Sequence, residues 1–164
     1  MKVLAFFFCL IALDSLSQDV TTFILIRHAE KLSGNMGDKS DPDLTEEGKQ
    51  RAQRLVSLLK DVGVDAIYST NFKRTQYTVA PLSAAKGIAV KTYEPKNTAA
   101  IDAMLEAHGG GTIVVCGHSN TTPWTANYLA GKEDLKDFDD SDYDNVLIVS
   151  VTGKKAAKVL WLNW

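Results

Sequence analysis

The sequence predicts an α/β protein, a three-layer α/β/α sandwich around a mostly parallel central sheet. Three observations carry that expectation. Phe23-Ile24-Leu25-Ile26 and Thr112-Ile113-Val114-Val115-Cys116 are near-continuous apolar, β-branched runs, as expected of strands buried on both faces. Between such runs lie segments with apolar residues at helical spacing, so strands and helices alternate along the chain. A length of 164 residues, 45% hydrophobic and 23% charged, suits one domain with a sizeable core.

The first residues stand apart. Lys2, the apolar run Val3 to Leu13, and the small residues Ser15 and Ser17 just before Gln18 have the anatomy of a secretory signal peptide. The run is too short to cross a bilayer, which takes about 20 apolar residues. Residues 1–17 are therefore expected to be a signal peptide and residues 18–164 a single mature domain, secreted or periplasmic, with no membrane attachment after cleavage. Cleavage removes one cation, Lys2, and one anion, Asp14, so the net charge of −2 is unchanged. That charge and a pI near 5.9 give no sign of a nucleic-acid partner. Cleavage also removes Cys9 and leaves Cys116 alone, so no internal disulfide is expected. Cys116 ends an apolar strand and is expected to be a buried, inert thiol.

The mature elements follow in order. After the Phe23–Ile26 strand comes a loop, Leu32 to Asp43, with Gly34, Gly37 and Pro42, expected to be mobile and to lie over the strand end. Thr45 is a helix N-cap, with Glu46 and Glu47 in the first turn where the dipole favours anions. Ala52, Leu55, Val56, Leu59 and Val62 continue that helix to Gly63, with Gly48 weakening its first turn. Ala66-Ile67-Tyr68 is the second strand, ending in Ser69-Thr70-Asn71. The next helix begins near Arg74, carries Pro81 as a kink and stops at Gly87. Ile88 to Tyr93 alternates as a short strand. Thr98 caps a helix to about His108, where a histidine suits the dipole and has a structural role. Thr112–Cys116 is the next strand, and Thr122-Pro123 is an N-cap and N1 pair for a helix to about Ala130. After an acidic loop, Glu133 to Asp144, Val146–Val151 and Ala156–Leu162 form two closing strands joined at Gly153-Lys154.

Three strand ends carry Arg27 with His28, Arg74, and His118. In open α/β sheets ligands bind at the carboxyl ends of the strands. A net-acidic chain that gathers guanidinium and imidazole groups on one rim is equipped to hold an anion, and Arg suits bidentate binding of phosphate. Helix N-termini after Asn71 and Asn120 would add backbone donors. A neutral imidazole beside a clamped phosphoryl group is a competent nucleophile, which makes His28 the candidate.

Four segments carry a family resemblance. Arg27-His28-Ala29-Glu30-Lys31 resembles the Arg-His-Gly signature of the histidine phosphatase, or phosphoglycerate-mutase-like, superfamily, with Ala in place of Gly. Leu44-Thr45-Glu46-Glu47-Gly48-Lys49-Gln50-Arg51-Ala52 resembles its Leu-Thr-x-x-Gly helix start. Tyr68 to Thr78 resembles its Ser-x-x-x-Arg-x-x-x-Thr segment, and Val114 to Asn120 its Gly-His-Ser strand end. The resemblance covers Thr22 to about Ala130. It implies the phosphoglycerate mutase-like fold, His28 as a phosphorylated nucleophile, and Arg27, Arg74 and a protonated His118 as clamps on the phosphoryl oxygens. Asn120 would add a hydrogen bond. A general acid is also implied: Glu94 stands where the mutase-like branch supplies it, and Glu30 is the rival, close to the nucleophile.

The chain has no Arg-His-Gly-x-Arg-x-Pro, which sets it apart from the acid-phosphatase and phytase branch, and it has no room for the substrate-cap insertions of larger members. What remains is a minimal core with a shallow site, similar to small phosphohistidine phosphatases. The function expected is an exported phosphatase without cofactor or metal. It would act on phosphomonoesters or phosphoramidates of small molecules or phosphoprotein side chains through phosphohistidine. Phosphate or phosphosugar binding without turnover, and phosphomutase activity, stand as alternatives.

Overall fold

The computed structural model describes residues 19–33, 40–153 and 156–164. The expected signal peptide, Cys9 and half of the 32–43 loop lie outside them. The elements run β1 (Val20–Arg27), α1 (Glu46–Leu58), β2 (Ala66–Ser69), α2 (Lys73–Lys86), β3 (Val90–Thr92), α3 (Thr98–Ala107), β4 (Thr112–Gly117), α4 (Thr122–Ala130), β5 (Asn145–Thr152) and β6 (Ala156–Asn163). The sheet has six strands in the order β3-β2-β4-β1-β5-β6. β1, β2, β3 and β4 are mutually parallel, while β5 is antiparallel to both β1 and β6. The α/β sandwich with a mostly parallel sheet is as expected. Among the described residues no helix is long and apolar enough to cross a membrane.

The alternation of side chains along β1 and β4 divides the core in two. Phe23, Leu25, Ile113 and Val115 face α3 and α4 and pack with Ile101, Met104, Ala126 and Leu129. Ile24, Ile26, Val114 and Cys116 face α1 and α2 and pack with Leu55, Leu59, Val79 and Leu82. Both faces are covered, which is why these strands read as unbroken apolar runs. Cys116 is buried and free, and burial pushes its thiol well above the ordinary range.

Several boundaries differ from expectation. α1 stops at Leu58, and Leu59 to Gly63 is a turn rather than helix. β3 keeps only Val90–Thr92 of the alternating stretch, the part that finds register with Ile67–Ser69. Asn97, not Thr98, caps α3, its Oδ1 accepting from the Ala99 and Ala100 amides. Thr121, not Thr122, caps α4, and its Oγ1 accepts from the His118 amide at 2.8 Å instead of capping the helix. A lone sequence shows competing cap residues side by side, and the incoming chain direction decides between them.

Gly48 has a role beyond weakening a helix turn. A Cβ there would stand 2.3 Å from the Glu30 carbonyl oxygen, so only glycine lets the first turn of α1 approach the chain just after β1. Gly48→Ala is expected to lower stability by about 1–3 kcal/mol, the usual cost of forced overpacking. Gly63→Ala, where a Cβ meets nothing within 4 Å, should stay within about 0.5 kcal/mol of the parent. Urea unfolding of both variants measures the difference.

Candidate active site

Parallel register sets the geometry of the rim. Arg27 of β1 pairs with Gly117 of β4, and Ser69 of β2 pairs with Cys116. The three strands therefore end level, and the residues that leave them, His28, His118 and Thr70, emerge side by side. Arg74 arrives from the first turn of α2, directly after β2. A cavity of about 450 Å³ opens here, lined by Arg27, His28, Arg74, His118 and Asn120 among others. Lys31, Ser40 and Pro42 from the loop after β1 also line it, as the sequence suggested for that loop.

His28 is held in one orientation. Its Nδ1 lies 2.8 Å from the Ala29 carbonyl oxygen. A carbonyl only accepts, so Nδ1 carries the proton and Nε2 keeps its lone pair. Burial pushes the His28 pKa down to about 3. The Ala29 carbonyl opposes that shift, and His118, Arg27 and Arg74 reinforce it. His28 is thus a neutral imidazole at neutral pH. The His118 ring stands edge-on to it at 5.4 Å between centroids, and His118 Nε2 is 3.0 Å from Thr70 Oγ1. Burial, then the Arg74 and Arg27 charges, lower the His118 pKa to about 4. The expectation of a protonated His118 is therefore corrected: next to two guanidinium groups its neutral form is favoured.

The two arginines are only partly committed. Arg27 is 2% exposed. Its Nη1 donates to the Asp139 and Asp142 carbonyls at 2.7 Å each, and its Nη2 to the Asp140 carbonyl at 3.1 Å. The Tyr143 ring lies 4.2 Å from the guanidinium carbon, and the same ring reaches to 6.0 Å from His28. Arg74 Nη1 stands 3.8 Å from Asp41, and its guanidinium sits 4.3 Å from the Phe72 ring, which also packs edge-on to His118. The buried Nε–H groups of both arginines have no hydrogen-bond partner among the described residues. A buried unpartnered donor is costly, and guanidinium groups that line a cavity suit an oxyanion there.

The helix N-termini contribute less than expected. The Lys73 amide donates to Asp41 Oδ1 at 2.9 Å, and the Thr121 and Thr122 amides donate to the His118 carbonyl. Asn120 is exposed on the cavity wall. The two carboxylates proposed as acids fall elsewhere. Glu30 is turned away to Arg51, whose Nη2 lies 2.6 Å from its Oε1, and Arg51 also donates to the Trp164 carbonyl. Burial alone would raise the Glu30 pKa, but the Arg51 hydrogen bonds and charge outweigh it and hold the carboxyl below its ordinary range. Glu30 is thus corrected from site acid to a tie between the β1 end and α1. Glu94 is exposed, and its neighbour Pro95 lines the cavity in its place. Asp140 is the acidic residue that does line it among the described residues, 3.8 Å from Arg27. The sequence marked it only as one acid among many in the 133–144 loop. His108 has the structural role expected, with its Nε2 3.1 Å from the Tyr68 hydroxyl. No group of three or more His, Cys, Asp or Glu is placed to hold a metal ion among the described residues.

Both histidine pKa values lie below the unfolded value of about 6.5. Between about pH 6.5 and 4 the unfolded chain binds protons that the folded site refuses, so stability is complete above pH 6.5 and falls as pH drops through that window. Each histidine contributes up to about 1.4 kcal/mol per pH unit. Unfolding midpoints measured from pH 7 to 4.5 should show this slope, and His28→Asn should roughly halve it, leaving the His118 contribution.

The comparisons agree with this geometry. The family model described as "Histidine phosphatase superfamily (branch 1)" matches residues 23–96. Phosphoserine phosphatase 1 of Hydrogenobacter thermophilus is 40% identical over 70 residues, which are 41% of this chain and 33% of that protein. The match thus spans about a third of the curated relative's length. A Nakamurella multipartitia protein provisionally named phosphohistidine phosphatase SixA superposes with a TM-score of 0.63 at 25% identity, over 88% of this chain and 96% of that one. The protein histidine phosphatase SixA solved with tungstate gives a TM-score of 0.72 at 15% identity, over 87% and 96% of the two chains, a likeness of fold. Motifs, fold and the family model that matches residues 23–96 all point to similarity with the histidine phosphatase superfamily.

Proposed function

We propose that this protein is a phosphatase that hydrolyses phosphomonoesters or phosphoramidates through a covalent phosphohistidine on His28. The observation that carries the reading is the state of His28. Its Nδ1–H is committed to the Ala29 carbonyl, and its buried ring is neutral, so Nε2 offers a lone pair beside two guanidinium groups. The histidine phosphatase family model that matches residues 23–96 supports the same chemistry.

In the first step His28 Nε2 forms a bond to phosphorus as the bond from phosphorus to the leaving group breaks. The Arg27 and Arg74 guanidinium groups and the His118 imidazole take the charge on the equatorial oxygens. The Ala29 carbonyl steadies the positive charge that the phosphorylated ring acquires. The leaving atom needs a proton, and Asp140 is assigned to supply it, because it lines the cavity where Glu94 does not. In the second step Asp140 takes a proton from water, water attacks phosphorus, the P–N bond breaks, and His28 returns to its neutral state.

His28→Ala is expected to abolish turnover of an aryl phosphate, and the parent enzyme quenched with labelled substrate should hold acid-labile, base-stable phosphate. Tight phosphate binding without any turnover would point instead to a binding protein. Asp140→Asn should cost about 10²–10³-fold on an alkyl phosphate and much less on an aryl phosphate, whose leaving group needs little protonation. The same contrast produced by Glu94→Gln would move the acid to Glu94.

Export is proposed on residues 1–17 alone. Expression in a bacterium with an outer membrane should place the protein in the periplasmic extract with a new N-terminus at Gln18. A full-length cytosolic product would reject it.

A further inference from the structure

A second cavity of about 340 Å³ adjoins the first at Asn120. Asn120 lines both, and the neighbours Pro95 and Lys96 line one each. The second cavity has an aromatic wall. Trp124 and Tyr128, one turn apart on α4, stack with an interplanar angle of 4° and centroids 5.8 Å apart. Both are only partly buried. The ledge is fixed from two sides: the Tyr128 hydroxyl donates to Asp102 Oδ1 at 2.7 Å, and the Asn127 side chain holds the Leu135 amide and carbonyl at 3.0 and 2.8 Å. Lys96 stands at its edge with φ +57, the one non-glycine residue with positive φ among those described. Backbone held in that region by a side-chain-bearing residue clusters at ligand sites.

The charge around the ledge is balanced. Lys96 and Lys132 oppose Glu133 and Asp137. A second phosphate or carboxylate would meet two anions, and a quaternary ammonium would meet two cations. A flat, uncharged group with polar edges suits an aromatic floor and mixed polar rim. Joined to a phosphoryl pocket, the arrangement describes a leaving group that ends in a ring some bonds away from phosphorus.

We propose that the Trp124–Tyr128 ledge is the leaving-group subsite, and that it selects phosphomonoesters carrying a planar, uncharged heterocycle, the chemistry of a nucleoside 5′-monophosphate. This rests on the phosphatase reading of the adjoining cavity. The subsite acts through binding, so its signature lies in KM more than in kcat.

The test compares kcat/KM for adenosine 5′-monophosphate with that for glycerol 3-phosphate on the full chain. The ratio should favour the nucleotide by tenfold or more, on the order of one base–aromatic stack. Trp124→Leu should collapse the ratio toward one, chiefly by raising KM for the nucleotide, while Trp124→Phe, which keeps a flat ring, should retain most of it. Equal kcat/KM for the two substrates in the parent, or Trp124→Leu lowering both alike, would overturn the subsite and leave the phosphatase reading standing. Absence of turnover on either substrate and on an aryl phosphate, in protein with an intact unfolding transition, would overturn that reading and the subsite with it.

Discussion

Everything at this site depends on burying cationic groups together at the level ends of three parallel strands. Arg27, Arg74, His28 and His118 line one cavity. Like charges that close repel, and burial raises the penalty. The chain meets the problem in two ways. The histidines remain neutral, because burial and the guanidinium charges both disfavour their protonation. The arginines stay charged and divide their donors, with Arg27 terminal nitrogens on three backbone carbonyls and Arg74 beside Asp41. Their Nε–H groups are left over. A site of neutral imidazoles and half-satisfied guanidinium groups is suited to an oxyanion.

The turn from Arg27 to Lys31 is braced on every side. The Thr78 hydroxyl accepts the Ala29 amide at 2.9 Å and donates to the Arg74 carbonyl at 2.7 Å, tying the His28 turn to the helix that carries the second arginine. The Thr45 amide donates to the Glu30 carbonyl, Gly48 allows the helix to come that close, and Arg51 holds the Glu30 carboxylate. Gly117 serves β4 in the same way: a Cβ there would lie 2.6 Å from Thr121 Oγ1, the atom that accepts the His118 amide. Motif residues that never touch the cavity thus set the angle and depth of those that do. Such support is what an arrangement accurate to a fraction of an ångström requires.

The acidic 133–144 loop links fold to chemistry by another route. Its backbone carbonyls take up Arg27, its Tyr143 ring covers that guanidinium, and its Asp140 lines the cavity. A net-acidic loop could have been an ordinary solvated surface. Here the carbonyls, not the carboxylates, do most of the holding, so the loop is a wall whose position follows from one buried arginine. It also brings Glu133 and Asp137 to the adjoining cavity beside Trp124 and Tyr128.

Strand, helix and their alternation were legible from residue order, because burial on both faces leaves an unbroken apolar signature and helical spacing leaves another. The four cavity residues were legible as well, since Arg27, His28 and His118 stand at strand ends and Arg74 in the first turn of the helix that follows β2. Which cap wins, as at Asn97 and Thr121, was not, because adjacent candidates differ only in the direction of the incoming chain. Nor was the partnership of Glu30 with Arg51, the exclusion of Glu94 from the cavity, or the selection of Asp140 from a run of acids. By itself the sequence determined which local elements form and which residues leave the strands at the rim, because those depend on near neighbours. Tertiary structure alone decided what each charged group faces, because a carboxylate's role rests on partners that lie tens of residues away and meet it only when the sheet closes.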